Sequence, residues 1–313
     1  MRREKLRAVK ERAAGIGFLC AAAFSVAAVF LIIVFMLIQG VPGIAEYGLF
    51  KFLFGKDWRP DLGSYGILNF IVGTVYVTAA ATVLGGAAGI LTAVFLGKFC
   101  PKFIRPLFGQ LVNLLAAIPS IVYGLFGLVV LVPMIQKATR YRTAGVGILP
   151  SALILALMIM PIIVGISKNA VDAVPESYYE GAAALGASRA QAVFKVVVPA
   201  AKSGIFSSVV LGVGRALGET MAVIMVVGNN AANFPAQLVQ PIRTLTTNIV
   251  LEFGEAGGEL HRNMLLSTGL VLLFFILAVN LSITLAAQMR ERRRAEKGKK
   301  PAVAAEKGGR ADA

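Results

Sequence analysis

The chain has 313 residues, 57% of them hydrophobic, with 31 Lys and Arg against 16 Asp and Glu for a net charge of +15. Its mean hydropathy of +0.77 lies far outside the soluble globular range, which excludes an ordinary soluble enzyme and turns the question to how often the chain crosses a bilayer. One histidine and two cysteines provide no ligand set for a metal, and the sequence contains no Gly-x4-Gly-Lys-Ser/Thr nucleotide loop.

In chain order, residues 1–13 form a basic N-terminal segment that holds Arg2, Arg3, Lys5, Arg7, Lys10 and Arg12. The apolar run 14–38 follows, and its length of about 25 residues exceeds a signal-peptide core, so it reads as an uncleaved anchor. Residues 39–66, with Trp58 and Pro60, form an expected outer segment of small helices or loops. The second run, 67–96, contains Gly85, Gly86 and Gly89, which allow close helix packing, and a hydroxyl stripe of Thr74, Thr78 and Thr82 at i, i+4, i+8. Packing across helices is the expected use of that stripe. Lys98, Lys102 and Arg105 lead into the third run, 107–135, which contains Pro119 and Gly124.

Lys137, Arg140 and Arg142 precede the fourth run, 146–166, which contains Pro161. These three cations read as a short solvated loop, or alternatively as a patch for an anion or acidic partner. Residues 167–203 form a soluble-looking loop whose core, Glu180 to Pro199, reads as a short helix, a turn at Gly186 and a second helix that ends at Pro199. The fifth run, 204–228, and the sixth, 264–288, enclose a second outer segment, 229–263, in which the lone His261 is expected to be a surface residue. From 289 to 313 the chain is rich in Arg, Lys, Glu, Gly and Ala without apolar periodicity, the composition of a disordered tail.

Six runs of bilayer-spanning length make an all-α membrane protein with both termini on one side. Most of the 31 Lys and Arg gather before the first run, after the last, between the second and third, and in the 167–203 loop, which makes that side cytoplasmic. The basicity is therefore a topology signal and a contact for membrane lipid, and no nucleic acid is implied. Cys20 and Cys100 fall in the first run and at the cytoplasmic end of the second, so a disulfide is not expected.

Arg215 lies near the middle of the fifth run, where a charge costs at least about 2.5 kcal/mol on insertion scales, so it should face the bundle interior or a water-filled path. Glu219 follows at i+4, and Ser208, Gly212, Arg215, Glu219 and Ala222 would share one small, polar helix face. One reading is an ion pair that locks the helix to its neighbours. The other is an anion site, with the guanidinium presenting paired donors to an oxyanion. The carboxylate, an acceptor only, would favour an anion that keeps a proton, such as monohydrogen phosphate, over sulfate.

The stretch from Glu180 resembles the coupling motif of ABC-importer permeases, E-A-A-x3-G-x9-I-x-L-P. It matches at Glu180, Ala182, Gly186 and Pro199, with Gly181, Val196 and Val198 as replacements. Trp58-x-Pro60 with Gly66-Ile67 and Gly73-Thr74, then Ala116 to Pro133, then Gly212 to Asn229, resemble the PstC type of phosphate-specific permease; Met221-Ala222-Val223 departs from the PstA type. The resemblance implies a MetI-like permease domain over 14–288, with no catalytic residues of its own. Glu180, Gly181, Ala182, Leu185, Gly186 and Pro199 would contact an ATPase subunit dimer that binds the ATP. Arg215 and Glu219, with Thr220 and Asn229 as weaker candidates, would line the path for inorganic phosphate. The implied partners are a PstA-type permease and an extracytoplasmic phosphate-binding protein, in a bacterial or archaeal cytoplasmic membrane. Of the five later spans, all should build the shared core and the first should be peripheral. Permeases of other oxyanions such as molybdate or phosphonate remain open as alternatives, as does a secondary transporter.

Overall fold

A computed structural model describes residues 2–308. Helix α1 (Arg2–Tyr47) leads into the short α2 (Leu49–Phe54), a two-stranded antiparallel hairpin of β1 (Trp58–Arg59) and β2 (Ser64–Tyr65), and α3 (Leu68–Val94). The chain continues through α4 (Arg105–Ala117), α5 (Ser120–Phe126), α6 (Val132–Ala138) and α7 (Ile148–Asp172). Next come α8 (Glu176–Ala184), α9 (Arg189–Ala192), α10 (Val198–Ala200) and α11 (Lys202–Gly218). The last helices are α12 (Met221–Val226), α13 (Leu245–Phe253) and α14 (Glu259–Gly308). Single π-helical turns at Phe95–Phe99, Gly127–Leu131 and Val193–Val197 extend α3, join α5 to α6 and join α9 to α10.

Among the described residues, Ala14–Tyr47, Leu68–Phe99, Ser120–Ala138, Ile148–Asp172 and Glu259–Leu285 are long and apolar enough to cross a bilayer. A sixth crossing forms only as a bent pair, Arg189–Ala200 with Lys202–Gly218, at 68°. The bundle centres on α7, which packs against α3 and α11. Val77 and Ala81 of α3, Ile159 and Ile163 of α7 and Ala216 of α11 meet there in one buried cluster. Gly85 makes this approach possible: a Cβ there would lie 2.7 Å from the Ala156 carbonyl oxygen, so any larger residue forces α3 away from α7. The first span is peripheral, packed on α14 and bonded to it where the Ser267 hydroxyl donates to the Gly40 carbonyl at 2.6 Å.

Two expected spans are broken. The run 107–135 is not one helix: α4 ends at Ala117, Ile118 is extended (ψ 126°), and the crossing starts at Ser120. Pro119 explains this, because it has no N–H to donate and its ring disfavours helical geometry at the residue before it. The Tyr123 hydroxyl donates to the Leu115 carbonyl at 2.7 Å and so satisfies one of the acceptors the break frees. The run 204–228 breaks after Gly218, where Glu219 is extended (φ −75°, ψ 129°) before α12 begins. Pro161, by contrast, sits inside an unbroken α7.

At the other extreme, α14 carries helix into the segment from 289 that was expected to be a disordered tail, consistent with its Ala, Glu, Lys and Arg content; residues 309–313 lie outside the described residues.

Candidate functional site

Three regions carry chemistry. The first is the 167–203 loop. Helix α8 has no buried residue, and Leu185, which follows it, is 91% exposed. Gly186 turns the chain with φ +82°, a left-handed conformation that glycine adopts without strain. Ser188 then caps α9, its hydroxyl accepting from the Gln191 N–H while the Gln191 side chain accepts from the Ser188 N–H. The expected helix, turn and helix are therefore present, with Glu180 and Gly181 exposed and Ala182 half-buried. Pro199 does not itself end the second helix; the helical run continues to Ala200 and the chain bends at Ala201.

The foot of this loop is fixed. Val94, Val171, Val174, Val193 and Val197 pack together beneath it. Arg189 donates to the Lys98 carbonyl at 2.6 Å and stacks on the Phe99 ring at 5.6 Å. Asp172 takes both Arg105, at 2.7 Å, and Lys168, at 2.9 Å.

The second region is the break in the fifth span. Arg215 lies in the last turn of α11, about 20 Å along the axis from Lys202, and its side chain is exposed on the isolated chain, within electrostatic reach of the Tyr123 phenol. The C-terminal end of a helix is favourable for a cation. Because the helix stops at Gly218, Arg215 and Glu219 do not share a helical face, and among the described residues no ion pair joins them. The stripe read as one polar face divides as well. Ser208 is buried and bonded to Ser167 at 2.7 Å, Ala222 is buried, and a Cβ on Gly212 would touch Ile163, so those three belong to the core rather than to a path.

Glu219 sits instead in a small pocket with Thr74, Thr78, Thr244, Thr246 and Val223. Its Oε1 accepts from the Ala222 N–H at 3.2 Å and caps α12, and its backbone carbonyl accepts from the Thr246 hydroxyl at 3.2 Å. A helix break inside a bilayer requires such internal partners. Thr220 is half-buried at the N-terminus of α12. Asn229 (φ +55°) donates from Nδ2 to the Ile224 carbonyl at 2.7 Å and accepts at its own carbonyl from Arg243 at 3.1 Å, a turn-closing arrangement away from Glu219's pocket.

The third region lies at the end of the bundle opposite the loop. The Glu252 carboxylate accepts from Trp58 Nε1 at 2.6 Å, pairs with Arg243, and meets His261 Nε2 at 3.1 Å. His261 is thus not a surface residue: its side chain is 13% exposed and packs beside Trp58 and Tyr65. Its position follows from partners that are distant in sequence, which composition does not reveal. Burial first, then the charge of Glu252, Tyr47 and Asp61, raises the Tyr65 phenol above its usual value. The same layer joins the bundle through Thr74, whose hydroxyl accepts from the Leu245 N–H at 3.0 Å.

Five long apolar crossings among the described residues, an exposed helix-turn-helix on an anchored base and a further crossing broken at Glu219 make this a multi-pass membrane protein of the permease class. Residues 85–296 match the family described as "Binding-protein-dependent transport system inner membrane component", and the chain belongs to it. It is 39% identical over 251 residues to the phosphate transport system permease protein PstC of Mesorhizobium japonicum, covering 74% of this chain and 76% of the relative. It is 35% identical over 287 residues to PstC of Pasteurella multocida, covering 83% and 89%. Among solved structures, a bacterial alginate ABC transporter aligns with TM-score 0.58 at 16% identity over 88% of this chain and 94% of that one. The inward-facing MetNI methionine ABC transporter aligns with TM-score 0.52 at 20% identity over 71% and 94%. These two support the MetI-like fold alone.

Proposed function

We propose that the chain is the PstC-type permease subunit of an ATP-driven importer of inorganic phosphate. The observation that carries this reading is its 39% identity to a phosphate transport permease over 251 residues. The exposed α8 and Gly186 turn add the means of coupling. An ATPase pair would close against Glu180, Gly181, Ala182, Leu185 and Gly186 and move α3, α7 and α11 through their shared foot. A PstA-type permease would cover the face that exposes Arg215. An extracytoplasmic phosphate-binding protein would dock on the layer built around Trp58 and Glu252, with the loop end and both termini in the cytoplasm, in keeping with the Lys and Arg bias.

In this mechanism the permease performs no chemistry. Arg215 supplies a fixed cation at the edge of the path, and Glu219, with one oxygen already occupied by the Ala222 N–H, keeps the other as an acceptor for a protonated oxyanion. Weak, transient contacts suit a path that receives its cargo from a separate binding protein. Uptake of radiolabelled phosphate into vesicles that contain the full transporter, competed with sulfate and with arsenate, tests the assignment. Phosphate and arsenate should compete while sulfate should not. Uptake of molybdate or a phosphonate in place of phosphate would overturn it.

A further inference from the structure

Seven helical hydroxyls show what an ordinary Ser or Thr does in an apolar helix. Ser25, Thr74, Ser151, Ser207, Ser267, Thr268 and Thr284 each donate to the carbonyl four residues back. Thr78 and Thr82 do not. Thr78 is 7% exposed and lines the Glu219 pocket, yet its hydroxyl forms no hydrogen bond among the described residues. Thr82, one turn further toward the loop end, has a buried Oγ1 without a partner.

The neighbouring hydroxyls in the pocket are already engaged. Thr74 donates to the Phe70 carbonyl and accepts from the Leu245 N–H. Thr246 bonds to the Glu219 carbonyl, and Thr244 lies within the capping box of α13, 3.1 Å from both the Thr246 and Thr247 hydroxyls. Thr78 is therefore the pocket threonine with unspent hydrogen-bonding capacity, held beside a carboxylate. A buried polar group without a partner is disfavoured, which applies to Thr82 Oγ1; Thr78, four residues earlier on the same face, instead opens its unbonded hydroxyl to the pocket.

We infer that Thr78 is a specificity-determining contact of the translocation path, its hydroxyl donating to one oxygen of a tetrahedral oxyanion while the free oxygen of Glu219 accepts that anion's remaining proton. Thr82 supplies the next hydroxyl on the same face toward the loop end. The inference rests on the phosphate-path reading above. It adds a donor to a site that otherwise offers only an acceptor at Glu219, and it places the selective contact on α3 and the α11–α12 break rather than on Arg215.

The test uses the complete transporter, reconstituted in proteoliposomes with its second permease, ATPase pair and binding protein. Thr78→Val keeps the shape of the side chain and removes the hydroxyl; Thr78→Ser keeps the hydroxyl. Thr78→Val is expected to lower phosphate uptake about tenfold, the scale of one hydrogen bond to a charged group, with assembly of the complete transporter unchanged. Thr78→Ser should restore uptake to within about twofold, as a contact through oxygen requires. Wild-type uptake in Thr78→Val, or equal loss in Thr78→Val and Thr78→Ser, overturns the inference, the latter because it marks a packing role. Loss of uptake in Glu219→Gln with none in Thr78→Val would remove Thr78 and leave the phosphate reading standing. Absence of phosphate uptake by the wild-type transporter would remove that reading itself.

Discussion

Trp58 and Glu252, 194 residues apart in sequence, meet through a 2.6 Å hydrogen bond from the indole Nε1–H to the carboxylate. Because Arg243 and His261 converge on the same carboxylate, the segments at the end opposite the 167–203 loop form one layer rather than two separate loops. Glu252→Ala would leave Arg243 with a charge 15% exposed and unmatched by its carboxylate. The melting transition of the purified transporter should fall, with a loss of about 2 kcal/mol, and Trp58→Phe should cost about 1 kcal/mol. An unchanged melting curve for both variants would show that the layer is not held by this carboxylate.

Tyr65 gives the same layer a pH dependence. Its phenol is raised above 10.0 by burial and by the nearby Glu252 charge, so the folded protein favours the neutral form more than the unfolded chain does. That contribution is fully present below pH 10 and is lost as pH rises through the raised value. Stability should therefore decline on alkaline titration above about pH 10. Tyr65→Phe should flatten this decline, as followed by thermal unfolding across that range.

Gly186→Asp places a side chain at φ +82° and a charge beside the exposed Leu185. Copurification of the ATPase subunits should fall by about tenfold or more, the equivalent of 1.4 kcal/mol, with membrane insertion intact. Normal ATPase recovery in that variant would remove the loop from the coupling role.

Gly85→Val forces a side chain toward the Ala156 carbonyl. Overpacking of this kind costs about 1–3 kcal/mol, so the amount of folded chain in detergent should drop while Gly86→Ala, where a Cβ has nothing within 4 Å, should be tolerated.

Glu219→Gln and Arg215→Gln separate the two contributions proposed for the phosphate path. Removing the Arg215 charge should lower phosphate uptake by roughly tenfold or more. Glu219→Gln should instead reduce the preference for phosphate over sulfate, because the amide can donate as well as accept. Equal selectivity in both variants and the wild type would show that Glu219 does not choose the anion.

The crossings and the helix-turn-helix of the 167–203 loop were legible in the sequence because apolar length and motif spacing are local properties. The breaks were less so. Hydropathy runs straight across Pro119 and Gly218, since a residue stays apolar whether or not its helix bends. The polar face drawn through Ser208, Gly212, Arg215, Glu219 and Ala222 assumed an unbroken helix, and the extended Glu219 removes that assumption. Ser208 and His261 looked available because their partners, Ser167 and Glu252, are brought in by tertiary packing. The Thr74, Thr78, Thr82 stripe was visible as spacing, but only the structure separates the bonded Thr74 from the unbonded pair.

Arg215 is exposed on the lone chain, deep in a crossing where lipid would otherwise surround it. A guanidinium left facing lipid must draw in water or headgroups, at a cost of at least about 2.5 kcal/mol. If a second permease covers that face, as proposed above, the same charge would favour pairing of the two within the membrane.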